Sequence, residues 1–328
     1  MKGSREFLTS NGEPENVEFV KKIENIYLNK YEKEQSDELK ELLNSVDFSV
    51  LEDEFNIIAE KSGIDKNKLN FIGKEKVFDF KKDSRDGLEF GRIGRYDPGA
   101  NCIAVDINGL NLLARNFNFD KQKLFLYLMC HEETHATGKT RCVGFNEFKE
   151  EKEDSMSVRT GYSEYITIKD EYEKVYHTEI LSPFNEGITE KIGREVLDSY
   201  FQKTGILGDD FKKKLEREYG SSNLYGYEVS FVDTFIKRIS ADTGVSEMDV
   251  WNAFKRGFYN GEDLLGDLEL REFWKEIFGE EFIRDFTNSK EGRHLFAIEE
   301  RIKNWRDVTQ KNIFSKFIAK FLSKKDEK

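Results

Sequence analysis

Four histidines occur in the chain, and two of them frame the stretch His131-Glu-Glu-Thr-His135. On a helix, residues four apart project from one face, one turn from each other. A tetrahedral metal accepts two such imidazole nitrogens at about 2.0–2.1 Å each. Glu132 sits one step round the helix, where its carboxylate can reach a water held by that metal without being a ligand itself. The plainer reading is a helix whose histidines make ordinary hydrogen bonds. Two imidazoles ending an apolar run are, however, costly to bury unpaired. Two nitrogens do not complete a site, so a further donor is required.

The elements that must position these groups have readable ends. Asp120 has N-cap chemistry and Gly138 the character of a C′ residue, with Leu124, Phe125, Leu128 and Met129 on an apolar face between them. A second helix starts in Ser182-Pro-Phe-Asn-Glu-Gly-Ile-Thr-Glu190, with Ser182 expected at the N-cap and Pro183 at N1. It carries Glu186 and Glu190 at i and i+4 on one face. Taken alone, these two acids would read as partners of the helix dipole on a solvated face.

Together the two motifs resemble the gluzincin zinc metallopeptidases, which pair His-Glu-x-x-His with Asn-Glu-x-x-x-(Asp/Glu) on a following helix. The resemblance spans residues 88–190 and is specific at 131–135 and 185–190. It implies one zinc per chain held by His131, His135 and Glu186, with Glu132 as general base acting on a peptide or protein substrate. Glu190 would stand behind a ligand imidazole, accept its proton and fix its tautomer. Gluzincins usually supply a Tyr or His for the oxyanion. Tyr225 is the preferred residue because it opens a helix in the C-terminal half; Tyr227, Tyr176 and His177 are the others, and simple packing is the plainer role for any of them. The stretch from His135 to Glu186 is longer than in several gluzincin families. It holds Tyr162, Tyr165, Ile166 and Ile168 and an acidic cluster at Glu147, Glu150, Glu151, Glu153 and Asp154, and reads either as a flap beside the cleft or as a solvated insertion. The metzincin pattern would need a third histidine where Arg141 stands, and arginine stays protonated. His-Ala-Thr-Gly138 also looks like the zincin-like domain of ArdC-type antirestriction proteins, which bind single-stranded DNA and would make this a regulatory binding protein.

Composition limits these readings. The formal net charge of −12 over 328 residues argues against a protein whose main partner is a phosphate backbone, so no nucleic acid is expected. The apolar run Leu124 to Cys130 is far too short to cross a bilayer. The first residues contain no apolar segment of the kind a secretory signal needs, and three cysteines (Cys102, Cys130, Cys142) fit a reducing compartment, so a cytoplasmic protein is expected. Cys130 reads as a small buried residue of its helix, and Cys142 has no second soft ligand beside it.

Periodicity then divides the chain. Residues 1–66 are expected as a helical N-terminal region, with two or three helices over 16–62. Residues 67–145 would be a sheet-bearing subdomain with the active-site helix. Its strands are expected around Phe71–Phe80, Leu88–Arg95 and Cys102–Ile107, with a hairpin turn at Tyr96-Asp-Pro-Gly-Ala100. Residues 146–328 would be mainly helical and supply Glu186. Their basic amphipathic end, His294 to Lys324, either docks its Phe stripe on the core or touches an anionic membrane surface. The fold class that follows is α+β with a small mixed sheet, and the resemblance implies that it is zincin-like.

Overall fold

The computed structural model describes residues 5–8, 17–29, 31–32, 34–80, 93–144, 156–169, 175–218, 225–261 and 280–289, together with 295 and 298. The chain is mixed α+β. Three helices occupy the N-terminal region: α1 (Val17–Leu28), α2 (Asp37–Asn44) and α3 (Phe48–Lys61). The starts of α2 and α3 follow from side chains that replace missing backbone partners. The Ser36 hydroxyl accepts from Leu39 N at 3.2 Å, and Asp47 Oδ1 accepts from Ser49 N and Val50 N at 3.1 Å each. Leu39, Leu42 and Leu43 on α2, and Leu51, Phe55, Ile58 and Ala59 on α3, are buried at helical spacing.

A three-stranded sheet follows, in the order β2 (Val77–Asp79), β4 (Cys102–Val105), β3 (Gly94–Asp97). β2 runs parallel to β4 and β3 antiparallel to it. All four residues of β4 are fully buried, as its unbroken apolar run requires. The expected hairpin joins β3 to β4: Asp97 Oδ1 accepts from Gly99 N at 2.8 Å and Ala100 N at 3.0 Å, and Asn101 takes the left-handed conformation at φ 52°. Phe71 lies outside the strand, because a short 3-10 turn at Lys74–Lys76 intervenes. Ile107 opens a helix, α4 (Ile107–Asn116), rather than closing a strand, since Asp106 Oδ1 caps Gly109 N at 3.0 Å. Residues 88–92 of the expected middle strand lie outside the described residues.

The central helix α5 (Lys121–Thr137) starts where expected, with Asp120 Oδ1 accepting from Lys123 N at 3.0 Å. Instead of one apolar face it has none exposed: every residue from Leu124 to Thr137 except His135 is buried. Gly138 ends it in an extended conformation (φ −60°, ψ 148°), not a left-handed one. Glycine is required there by space, because an added Cβ would meet the Phe258 ring at 2.8 Å.

Residues 139–180 lie in the stretch where no long helical period is expected and where short strands around Tyr162–Ile168 are one reading. They form β5 (Thr140–Gly144), β6 (Met156–Thr160), β7 (Ser163–Lys169) and β8 (Val175–Ile180), and β1 (Arg5–Leu8) joins β5 in parallel to complete a five-stranded sheet. Short strands with mixed polarity leave no long hydrophobic period to detect. Three of these strands stand at the start of the segment 146–328, and β5 pairs with β6 across residue 145. The tip between β6 and β7 is no solvated insertion. Tyr162 is buried, its hydroxyl donates to Phe254 O at 2.8 Å, and Gly161 N donates to Lys139 O at 3.0 Å. The acidic cluster at 147–154 lies outside the described residues, as does the expected helix over 294–324 apart from Leu295 and Ile298.

Helices that follow among the described residues include α6 (Ser182–Thr204), α7 (Asp209–Glu218), α8 (Gly226–Thr243), α9 (Glu247–Asn260) and α10 (Glu280–Thr287). One hydrophobic cluster runs from α2 to α10 without a break at residue 66 or 145. At its centre the Phe184 ring lies 6.1, 6.2, 5.8 and 5.2 Å from those of Phe231, Phe235, Phe254 and Phe286. Among the described residues no helix is long and apolar enough to cross a membrane. Phe184→Ala should destabilise the chain by about 3–5 kcal/mol. Urea unfolding checks this, with Phe184→Leu expected to cost much less.

Candidate metal centre

Helix α6 lies along α5 with the two chains running in opposite directions. It enters from β8 through Leu181, a non-glycine residue held left-handed at φ 57°. Leu181 is the N-cap, so Ser182 and Pro183 occupy N1 and N2, one position later than expected. The cap has no side-chain hydrogen bond; Asn185 N donates to Leu181 O at 2.9 Å instead. Two glycines let α6 sit close to its neighbours. A Cβ on Gly193 would come 3.2 Å from Cys130 O on α5, and one on Gly187 would come 2.5 Å from Glu228 O on α8.

Facing ladders result. On α5, Tyr127, His131 and His135 stand one turn apart; on α6, Glu186, Glu190 and Arg194 do the same. Glu186 Oε2 lies 3.2 Å from His131 Nε2 and 3.3 Å from His135 Nε2. Two ligands bound tetrahedrally at about 2.05 Å stand about 3.3 Å apart, so these separations suit a shared zinc. Ligand atoms of all three residues lie within 4.8 Å of one another, and among the described residues no other group of His, Cys, Asp or Glu could hold a metal. Two nitrogens and one carboxylate oxygen are also the donor set zinc takes when one position stays open.

The surrounding groups orient this set. Glu190 is buried; its Oε2 accepts from His131 Nδ1 at 2.9 Å, and its Oε1 from the Tyr127 hydroxyl at 2.8 Å and Arg194 Nε at 2.6 Å. Thr189 Oγ1 lies 3.4 Å from His135 Nδ1. Glu132 is buried, with Oε2 accepting from Tyr96 N on β3 at 2.7 Å. The Tyr96 hydroxyl in turn donates to Asn101 Oδ1 at 3.3 Å, tying that strand end to its hairpin. Glu133 has a different job: it is fully buried and accepts from Ile72 N at 2.9 Å, pinning the segment before β2 to α5.

Tyr225 is brought to the site as the left-handed N-cap of α8, at φ 53°. Its ring stacks on His131 with centroids 4.8 Å apart and planes 8° from parallel. Tyr227 lies in the first turn of α8, while Tyr176 and His177 fall on β8, where their side chains are outside the described residues. Asn185 holds no part of the donor set. Its Oδ1 accepts from Tyr162 N at 2.8 Å, joining the β6–β7 tip to the start of α6. Arg141 is exposed on β5, and Cys142 is buried there beside Val158. Cys130 is fully buried on α5, as expected. Three contributors were not singled out in the sequence: Tyr127, Arg194 and the Tyr96 amide. The first two had a signal, since each lies four residues from His131 or Glu190 on the same helix face. The amide had none.

Comparisons with family models, with curated proteins and with solved structures give no match.

The charges are strongly coupled. Burial disfavours the His131 imidazolium, but hydrogen bonds to Glu186 and Glu190 outweigh it and push its pKa up from 6.5 to about 10. Burial also works against the Glu186 carboxylate, yet the adjacent His135 and His131 hold it well below the usual range. The His131 imidazole is thus favoured in its charged form between two carboxylates, and a metal binding at Nε2 would have to displace a proton there. A raised folded-state pKa contributes stability that is complete below 6.5 and lost as pH rises through about 10. Melting of the chelator-treated chain should therefore show Tm falling between pH 6.5 and 10, a slope that His131→Gln or saturating zinc should remove.

Proposed function

We propose that this chain is a zinc-dependent peptidase of gluzincin type, built on a zincin-like α+β arrangement and acting in the cytoplasm on a peptide or protein substrate. The observation that carries the reading is the Glu186 oxygen at 3.2 and 3.3 Å from the two histidine Nε2 atoms. Further support comes from the buried Glu190 behind His131 and from Glu132 one helical step from the ligands. The cytoplasmic setting is supported by three buried cysteines that form no disulfide.

His131, His135 and Glu186 would hold one zinc. When bound there, zinc polarises a carbonyl and lowers the pKa of a water toward about 7. Glu132 is the proton carrier. With Oε2 held by the Tyr96 amide, its carboxylate takes a proton from the attacking water and gives it to the departing amine nitrogen. Being buried keeps bulk water from competing for that proton. β3, an edge of its sheet among the described residues, runs beside Glu132 and is the natural line for an extended substrate. The Tyr225 hydroxyl is assigned to the oxyanion, a role supported by the ring's place against His131.

Glu132→Gln should lower peptide hydrolysis by at least about 100-fold while leaving zinc content at one per chain. His131→Ala and Glu186→Ala should lose the zinc, as metal analysis of the purified variants would read. Full activity in Glu132→Gln would overturn the proton-carrier assignment. Tyr225→Phe keeps the stacked ring and removes only the hydroxyl, so kcat should fall about 100-fold with KM little changed. An unchanged kcat would leave Tyr225 with its stacking role alone.

A further inference from the structure

We propose that Arg194 and Tyr127 are positioning residues for the metal centre: together they lock the Glu190 carboxylate so that it holds the His131 ring with Nε2 turned toward Glu186. The inference rests on the metal reading above and concerns two residues that touch neither metal nor substrate.

Glu190 is 1 % exposed, so each oxygen must find its partners within the protein. Oε1 receives two donors, one from each helix: the Tyr127 hydroxyl from α5 and Arg194 Nε from α6. That leaves Oε2 to His131 Nδ1 at 2.9 Å. A carboxylate accepts and cannot donate, so the proton of a neutral His131 stays on Nδ1 and the Nε2 lone pair faces Glu186. Rotating the carboxylate would break a hydrogen bond to at least one helix. Flipping the imidazole would set a carbon against Oε2. The stacked Tyr225 ring holds the imidazole plane, so with Glu190 fixed its remaining freedom is removed.

Arg194 is the cleaner residue to test. Its side chain is 37 % exposed, so removing it disturbs packing less than removing Tyr127, which is buried among core residues. Its planar guanidinium presents Nε at a fixed angle, which a lysine ammonium does not reproduce. The test is zinc affinity of the full chain, measured by competition with a chromophoric chelator. It is joined by the visible spectrum of the cobalt-substituted protein, which reports ligand geometry.

Arg194→Ala should weaken zinc binding about 10- to 100-fold and shift the cobalt bands. Arg194→Lys should recover part of the loss, and Tyr127→Phe should show a smaller loss than Arg194→Ala. In a Glu190→Gln background, Arg194→Ala should cost nothing further, because its effect passes through that carboxylate. An unchanged zinc affinity in Arg194→Ala, or the same loss with and without Glu190, would overturn the inference. A wild-type chain that takes up no zinc would overturn the metal reading and this inference with it. Wild-type uptake that Arg194→Ala leaves unaltered would overturn this inference alone.

Discussion

The packing of α5 against α6 is the constraint on which the centre depends. Each helix carries a column of polar side chains one turn apart, and opposed directions bring the columns into register, with Tyr127 at Glu190 and His135 at Glu186. A shift of either helix by one residue would turn the columns about 100° away from each other, since a helix has 3.6 residues per turn. Register here is held by apolar chemistry. Phe184 sits immediately before Asn185 and Glu186, and its cage of four rings fixes the start of α6.

Such a centre is expensive inside a core. His131, Glu132, Glu133 and Glu190 are all buried, and ionised groups without partners are the costliest things a protein can bury. The structure answers with nearly complete pairing. Glu132 is given a backbone amide from β3, Glu190 three donors, and Glu186 two imidazoles. Glu133, with one backbone amide at Oε2 and nothing at Oε1, is driven instead toward its neutral form, its pKa raised chiefly by burial. Glu132 and Glu133, neighbours on one helix, thus meet different surroundings: one faces the His–Glu cluster and the other the packed segment before β2.

Much of this is legible in the sequence. The Asp120 cap, the Asp97 turn and the pairs His131/His135 and Glu186/Glu190 follow from local rules that read spacing and residue type. What stayed hidden depends on partners far along the chain. β1 is four residues long and is a strand only because β5 lies beside it. The strands from 140 to 180 alternate too briefly to announce themselves. Gly138 looked like a left-handed helix end but is dictated by the Phe258 ring. The Tyr96 amide is a backbone group, and no residue type marks a backbone group as part of a site. Leu181 misleads for a related reason: Ser182 and Pro183 have the ideal types for a cap, yet the chain's turn out of β8 places the boundary one residue earlier.

The glycines of α6 carry a consequence for how such a centre can change. Gly187 abuts the backbone of α8 and Gly193 that of α5, so the helix is a slat whose thickness has been planed on both sides. The gap that an ion would bridge is the dimension left over once the slat is seated. A single methyl on either side acts as a shim, moving donors that no substitution of the donors themselves could move so evenly. The width open to a bound ion would thus be set by two positions with no side chain at all.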